Sequence, residues 1–155
     1  VVFADRVAVV GLGYVGQSVV EGALQSGFQV VGIDVDERRL ASLKNSRAPG
    51  PDLELTNSLK LVASCGVVIV AVPTPLAPDS SPDVTAIMNV ATGLSKVVQP
   101  GHLIILESTS FPGTTRRYFG ATIETSGLKA GSDFFLGFSP ERVDPGNQDF
   151  QFRNT

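Results

Sequence analysis

Apolar residues along the chain follow two alternating rhythms. Short unbroken runs, Arg6–Val10, Gln29–Asp34, Val67–Val72, His102–Leu106 and Asp133–Phe138, read as strands buried on both faces. Leu53 and Leu55 alternate with acids and predict a short strand over Asp52–Thr56. Between the runs the spacing changes to three and four. Val15, Val19, Val20, Ala23 and Leu24 share one face of a helix that starts at Tyr14 and stops at Gly27. Asp36 is placed to cap a helix through Arg39, Leu40 and Leu43, ended by Ala48-Pro-Gly-Pro51, and Asn57 to cap a brief helix to Ser64. Val84, Ile87, Met88, Ala91 and Leu94 mark another helix, closed by Pro100-Gly101. Pro112-Gly113 opens a last one to about Ser126.

Strands and helices alternate throughout, which predicts an α/β fold: a Rossmann-like, doubly wound parallel sheet with helices on both faces. Ligands in such sheets sit beyond the carboxyl ends of the strands. The loops at those ends (11–16, 34–39, 72–83, 107–113 and 139–146) are the unusual ones, rich in Gly, Pro and polar residues. They are expected to converge on one crevice.

The length of 155 residues suits a single domain, and 43% hydrophobic residues suffice for a core. Twelve basic against fifteen acidic residues give a net charge of −3, which argues against nucleic-acid and anionic-membrane partners. One cysteine excludes a disulfide framework, and with the single His102 it leaves no basis for a His/Cys metal site. The longest apolar stretch, Val67–Pro73, is far shorter than the roughly 20 residues of a membrane span. The start lacks a basic n-region and an initiator Met, so the chain is expected to be part of a longer protein. Seven of the nine Phe fall between Phe111 and Phe152, a skew that suits apolar surface covered by further chain, and for most of them core packing equally well.

Gly11-Leu-Gly13-Tyr-Val-Gly16 matches G-x-G-x-x-G. It follows a predicted strand, opens a predicted helix, and precedes a second strand ending in Asp34, 18 residues beyond Gly16. In this pattern the first Gly makes the tight turn and the second admits a pyrophosphate to the backbone. The third lets helix and strand pack closely, and the helix N-terminus faces the phosphate charge. The acid at Asp34 suits the adenosine ribose hydroxyls and repels a 2′-phosphate, so NAD is expected over NADP. Arg38 and Arg39 lie nearby, either solvated, stacked on adenine, or able to favour NADP. Flavin sites use the same fingerprint.

Five motifs together resemble the nucleotide-sugar 6-dehydrogenase (UDP-glucose/GDP-mannose dehydrogenase) family. They are Gly-Leu-Gly-Tyr-Val-Gly (11–16), Asp34 at its strand end, Val-Pro-Thr-Pro-Leu (72–76), Glu-Ser-Thr-Ser-Phe-Pro-Gly-Thr-Thr (107–115) and Ser-Pro-Glu-Arg-Val-Asp-Pro-Gly-Asn (139–147). The resemblance covers nearly the whole chain, in order, and implies that residues 1–155 are an NAD-binding Rossmann domain. Such enzymes oxidise the C6 alcohol of a nucleotide-linked sugar to a carboxylate with two NAD, through a cysteine-bound thiohemiacetal and then a thioester. By the same resemblance the NAD site comprises Gly11, Gly13, Tyr14, Val15, Gly16, Asp34, Arg39, Thr74, Ser108 and Thr109. Thr109 is implied to hold a water or the substrate hydroxyl, and Glu141 to be the general base for thioester hydrolysis. Following Phe134, Phe135 and Phe138, Glu141 is expected to be partly desolvated, which would raise its pKa and improve it as a base. The resemblance further implies a cytoplasmic, homo-oligomeric parent that takes a nucleotide sugar and supplies uronic acids for a surface polysaccharide.

The chain also departs from the family pattern. The family's nucleophilic Cys lies beyond Thr155, and Cys65, just before an apolar strand, reads as a small buried hydrophobe. The family's central helical region and second nucleotide-binding domain are absent, and the segment between Arg47 and Asn57 is short. Pro145 stands where the UDP-glucose branch carries a second Glu, which makes the motif more like the UDP-N-acetylhexosamine branch. The alternatives are a UDP-glucose or GDP-mannose enzyme, a β-hydroxyacid dehydrogenase sharing the N-terminal order, and a non-catalytic nucleotide-sensing Rossmann module.

Overall fold

The computed structural model describes residues 5–46 and 50–140. Six strands form one sheet: β1 (Arg6–Val10), β2 (Gln29–Ile33), β3 (Leu53–Thr56), β4 (Val67–Val70), β5 (Leu103–Leu106) and β6 (Phe135–Phe138). Every pairing is parallel and the order is β3-β2-β1-β4-β5-β6, the Rossmann arrangement. The expected fold class therefore holds.

Alternate residues of each strand feed two separate cores. Val7 and Val9 of β1 face α1 (Tyr14–Gln25) and α2 (Glu37–Ser46), where Val19, Val20 and Leu40 are buried with them. Ala8 and Val10 face the other way, toward Ile87, Ala91 and Leu94 of α3 (Thr85–Leu94) and toward Phe119 and Ile123. Burial on both faces is the reason these strands read as continuous apolar runs. Each fully buried Val, Leu or Ile side chain contributes about 1.5–3 kcal/mol.

Three local expectations change. The crossover from β3 to β4 is a 3₁₀ helix, Leu59–Ser64, capped by Ser58, whose hydroxyl accepts from the Lys60 N–H at 3.4 Å. Asn57, the expected cap, instead donates its side-chain amide to Glu37 at 3.2 Å. Six residues are too few for a stable α-helix, and the tighter winding suits so short a link. The last crossover is not one α-helix: Thr114–Gly120 winds as a π-helix, followed by α4 (Ala121–Ile123) and a 3₁₀ turn, Glu124–Ser126. Gly120 lies tight against its surroundings there, since a Cβ would stand 2.5 Å from Leu136 Cδ1. The last two strands start later than the apolar runs, and β6 does not form an evenly buried wall. Phe134 is fully covered, whereas Phe138 is 51% exposed on the outer strand.

The reading of Cys65 as a core residue holds. Cys65 is buried, its thiol donating weakly to the Leu61 carbonyl at 3.5 Å, and desolvation pushes that thiol above its ordinary pKa. His102 is buried too, with Nδ1 accepting from the Gln99 N–H at 3.2 Å.

Candidate cofactor site

β1 and β4 are neighbours, yet the chain leaves β1 toward α1 on one face and β4 toward α3 on the other. This divergence opens a cleft of about 590 Å³ at the carboxyl ends of the strands. Four of the five loops singled out in the sequence line it, through Gly11 and Gly13, Asp34 and Arg39, Val72 to Thr74 and Glu107 to Thr109. Of the fifth, Ser139 is described, and its N–H bonds the Leu106 carbonyl at 3.1 Å.

The glycine turn is built by close approach. Gly11 takes φ +94° and its N–H bonds the Ile33 carbonyl at 2.8 Å. A Cβ at Gly11 would lie 2.6 Å from the Ala71 carbonyl oxygen, and one at Gly16 would lie 1.8 Å from that of Gly11. Gly13 differs: its φ is −67°, and a Cβ there would meet nothing within 4 Å. The space beside Gly13 is the cleft itself. Gly13 also begins α1, which has no side-chain cap and no acidic residue in its first turn. Its first N–H groups and the positive end of its dipole therefore face the cleft, which suits a diphosphate.

Asp34 is the polar centre of the site. It is 6% exposed at the end of β2. Its Oδ2 accepts from the Leu12 N–H at 2.8 Å and from Arg39 Nη1 at 3.0 Å, while Oδ1 accepts from the Asp36 N–H at 2.9 Å. Burial alone would raise its pKa. The bonds from Asp36, Leu12 and Arg39 outweigh burial and hold it below the usual carboxylate range, so it is ionised at neutral pH. Asp36 caps α2 by accepting from the N–H groups of Arg38 and Arg39 at 2.9 and 3.4 Å. Arg39 is thus paired with Asp34 through Nη1, with 43% of its side chain still exposed.

Gly11, Gly13, Tyr14, Val15, Asp34, Arg39, Thr74, Ser108 and Thr109 all line this one cleft. Gly16 does not: it is buried beneath the turn and shapes it. The Ser108 hydroxyl is turned to the Val70 carbonyl at 3.4 Å, so it also ties β5 to β4. Thr109 is exposed at the mouth. Glu141 lies outside the described residues. Sequence reading did not single out Glu107, a carboxylate only 6% exposed that lines the cleft. Its place at the carboxyl end of a strand was the available signal. Nor did it single out Ala86, Asn89 and Val90, spaced by three and four on α3, which bring a polar Asn to the same wall. Among the described residues no group of three or more His, Cys, Asp or Glu could hold a metal, and no helix is long and apolar enough to cross a membrane.

The Asp34 carboxylate, the open space at Gly13 and the uncapped start of α1 line the same cleft, and their chemistry fits the ribose hydroxyls and diphosphate of NAD. Comparison with known proteins agrees. UDP-N-acetyl-D-glucosamine 6-dehydrogenase of Pseudomonas aeruginosa is 36% identical over 158 residues, covering 93% of this chain and 37% of that protein. Protein CapL of Staphylococcus aureus is 34% identical, covering 92% and 36%. The solved structure of UDP-D-ManNAc dehydrogenase from Pyrococcus horikoshii superposes with a TM-score of 0.83 at 32% identity, covering 91% and 37%. The chain thus spans little more than a third of the relatives it matches. Residues 5–155 match the NAD binding domain of the UDP-glucose/GDP-mannose dehydrogenase family, and the chain belongs to that family.

Proposed function

We propose that residues 1–155 are the NAD-binding domain of an enzyme that oxidises the C6 alcohol of a UDP-N-acetylhexosamine to the uronic acid. The observation that carries this reading is Asp34, ionised and held by three donors at one end of a cleft whose other end is walled by Thr74, Ser108 and Thr109. When bound, NAD supplies the hydride acceptor. The chain's own part is to hold and orient it: Asp34 receives the ribose hydroxyls, and the start of α1 at Gly13 receives the diphosphate. Thr74, Ser108 and Thr109 flank the nicotinamide half, with Thr109 toward the substrate hydroxyl or a water. Glu141 acts as the general base that hydrolyses the thioester. The nucleophilic Cys is not Cys65, which is buried away from the cleft among core residues.

The N-acetylhexosamine assignment is supported by Pro145 in the last motif and by the names of the relatives at 36% and 32% identity. A GDP-mannose dehydrogenase from the same Pseudomonas species matches the fold as well, at TM-score 0.83, with 27% identity. The test is NADH formation by the full-length protein with UDP-N-acetylglucosamine, UDP-N-acetylmannosamine, UDP-glucose and GDP-mannose in parallel. Two NADH per sugar with an N-acetylated substrate is expected. Preference for UDP-glucose or GDP-mannose would move the assignment within the family. NAD binding without NADH from any of the four would favour a nucleotide sensor.

A further inference from the structure

Arg39 stands beside the carboxylate proposed to receive the ribose and is one of the three donors that keep it ionised. Its guanidinium lines the cleft and is 43% exposed, with Nη1 on Asp34 Oδ2 at 3.0 Å. Arg38, one residue earlier, is exposed and does not line the cleft. A guanidinium carries five N–H donors in a fork that matches a phosphate, so one bond to Asp34 leaves donors for a second acceptor. A phosphate on the 2′-hydroxyl of a ribose held at Asp34 would arrive within reach of Arg39. It would also arrive with about −1.5 to −2 charges against the Asp34 carboxylate. The cleft therefore contains a phosphate-binding group that its neighbour neutralises. Asp34 is kept in place by the N–H groups of Leu12 and Asp36 independently of Arg39, so its role does not depend on the pair.

We propose that Arg39 is a masked 2′-phosphate site, and that its ion pair with Asp34 sets the choice of NAD over NADP. Asp34 repels the 2′-phosphate and also occupies the guanidinium that would bind it. The proposal rests on the NAD reading of the cleft. It makes the two residues non-additive, because the worth of Arg39 toward a 2′-phosphate appears only when the Asp34 charge is gone.

The experiment is calorimetric titration of NAD, NADP and the probe pair ADP and 2′,5′-ADP into the chain and its variants. Asp34→Asn removes the charge and keeps an acceptor for the Leu12 N–H. It should tighten NADP and 2′,5′-ADP by roughly 10- to 100-fold, the range of a charge-assisted hydrogen bond. ADP should gain far less. Arg39→Ala alone should not tighten NADP, and Asp34→Asn with Arg39→Ala should lose the gain. Arg38→Ala should leave all four ligands unchanged. If Asp34→Asn melts early, Asp34→Ser carries the same comparison. A gain that survives Arg39→Ala means that Asp34 acts by repulsion alone and overturns the proposal, as does no gain in a variant that still binds NAD. If the wild-type chain binds neither NAD nor ADP, the cofactor reading itself fails, and the proposal falls with it.

Discussion

The carbonyl oxygen of Gly11 lies 1.8 Å from where a Cβ on Gly16 would stand. The neighbouring atom is backbone rather than the end of a flexible side chain, so relief requires the turn itself to shift. Gly16→Ala should therefore destabilise the chain by about 3 kcal/mol, the upper range for overpacking. That corresponds to a fall of roughly 6–12 °C in Tm for a domain of this size. A thermal melt checks it, and an unchanged Tm would show that the turn relaxes freely.

His102 and Asp34 set two separate acid limits. Burial lowers the proton affinity of His102 from the ordinary 6.5, so only the unfolded chain takes up that proton readily. Its contribution is complete above about pH 6.5 and is lost as the pH falls below it. Asp34 is held below the ordinary 3.8, so its contribution is lost only on further acidification through that value. Urea melts at about pH 7.5 and 5.5 should show lower stability at the acid end, and His102→Gln should flatten that interval. Wild-type stability that is level across it would contradict the burial of a neutral imidazole.

Cys65 should be inert in the native chain. Its burial raises the thiol pKa, and the thiolate is the reactive form. A maleimide or aromatic disulfide reagent at about pH 8 should label it only after denaturation. Cys65→Ser in the full-length protein should leave turnover near wild type. Rapid native labelling, or loss of turnover with the fold intact, would reopen a chemical role for this residue.

If Glu141 is the general base, Glu141→Gln in the full-length protein should separate hydrolysis from the earlier steps. Cofactor and sugar binding should persist, with an NADH burst of about twice the enzyme concentration, one for each hydride transfer before the thioester, and a covalent adduct in the intact mass. Steady-state turnover should fall roughly 10²- to 10⁴-fold. Lost NAD binding, or full turnover, would make Glu141 structural.

The fold was legible because burial on both faces writes a strand as an unbroken apolar run, as in Ala8 to Val10 and Val68 to Val70. The glycine turn was legible because close backbone approach admits no other residue at Gly11 and Gly16. What the sequence obscured depends on contacts across the chain. Ser58 rather than Asn57 caps the 3₁₀ helix because Asn57 finds Glu37, twenty residues away, on α2. The π-helical winding of Thr114–Gly120 leaves no trace in apolar spacing alone. The Asp34–Arg39 pair was hidden for the same reason: residue types show that two charges are near, but not that one holds the other.

Gly13 provides the most direct test of the cofactor site. Its backbone suits any residue and a Cβ there meets nothing within 4 Å, so Gly13→Val should fold with at most the loss of about 1 kcal/mol that a poorer N-cap brings. The side chain would occupy the space assigned to the diphosphate. Calorimetric titration of NAD should show binding to the wild-type chain and a loss of at least about 100-fold in Gly13→Val, the size of several lost charge-assisted hydrogen bonds. Wild-type affinity for NAD in a folded Gly13→Val variant would contradict the placement of the dinucleotide in this cleft.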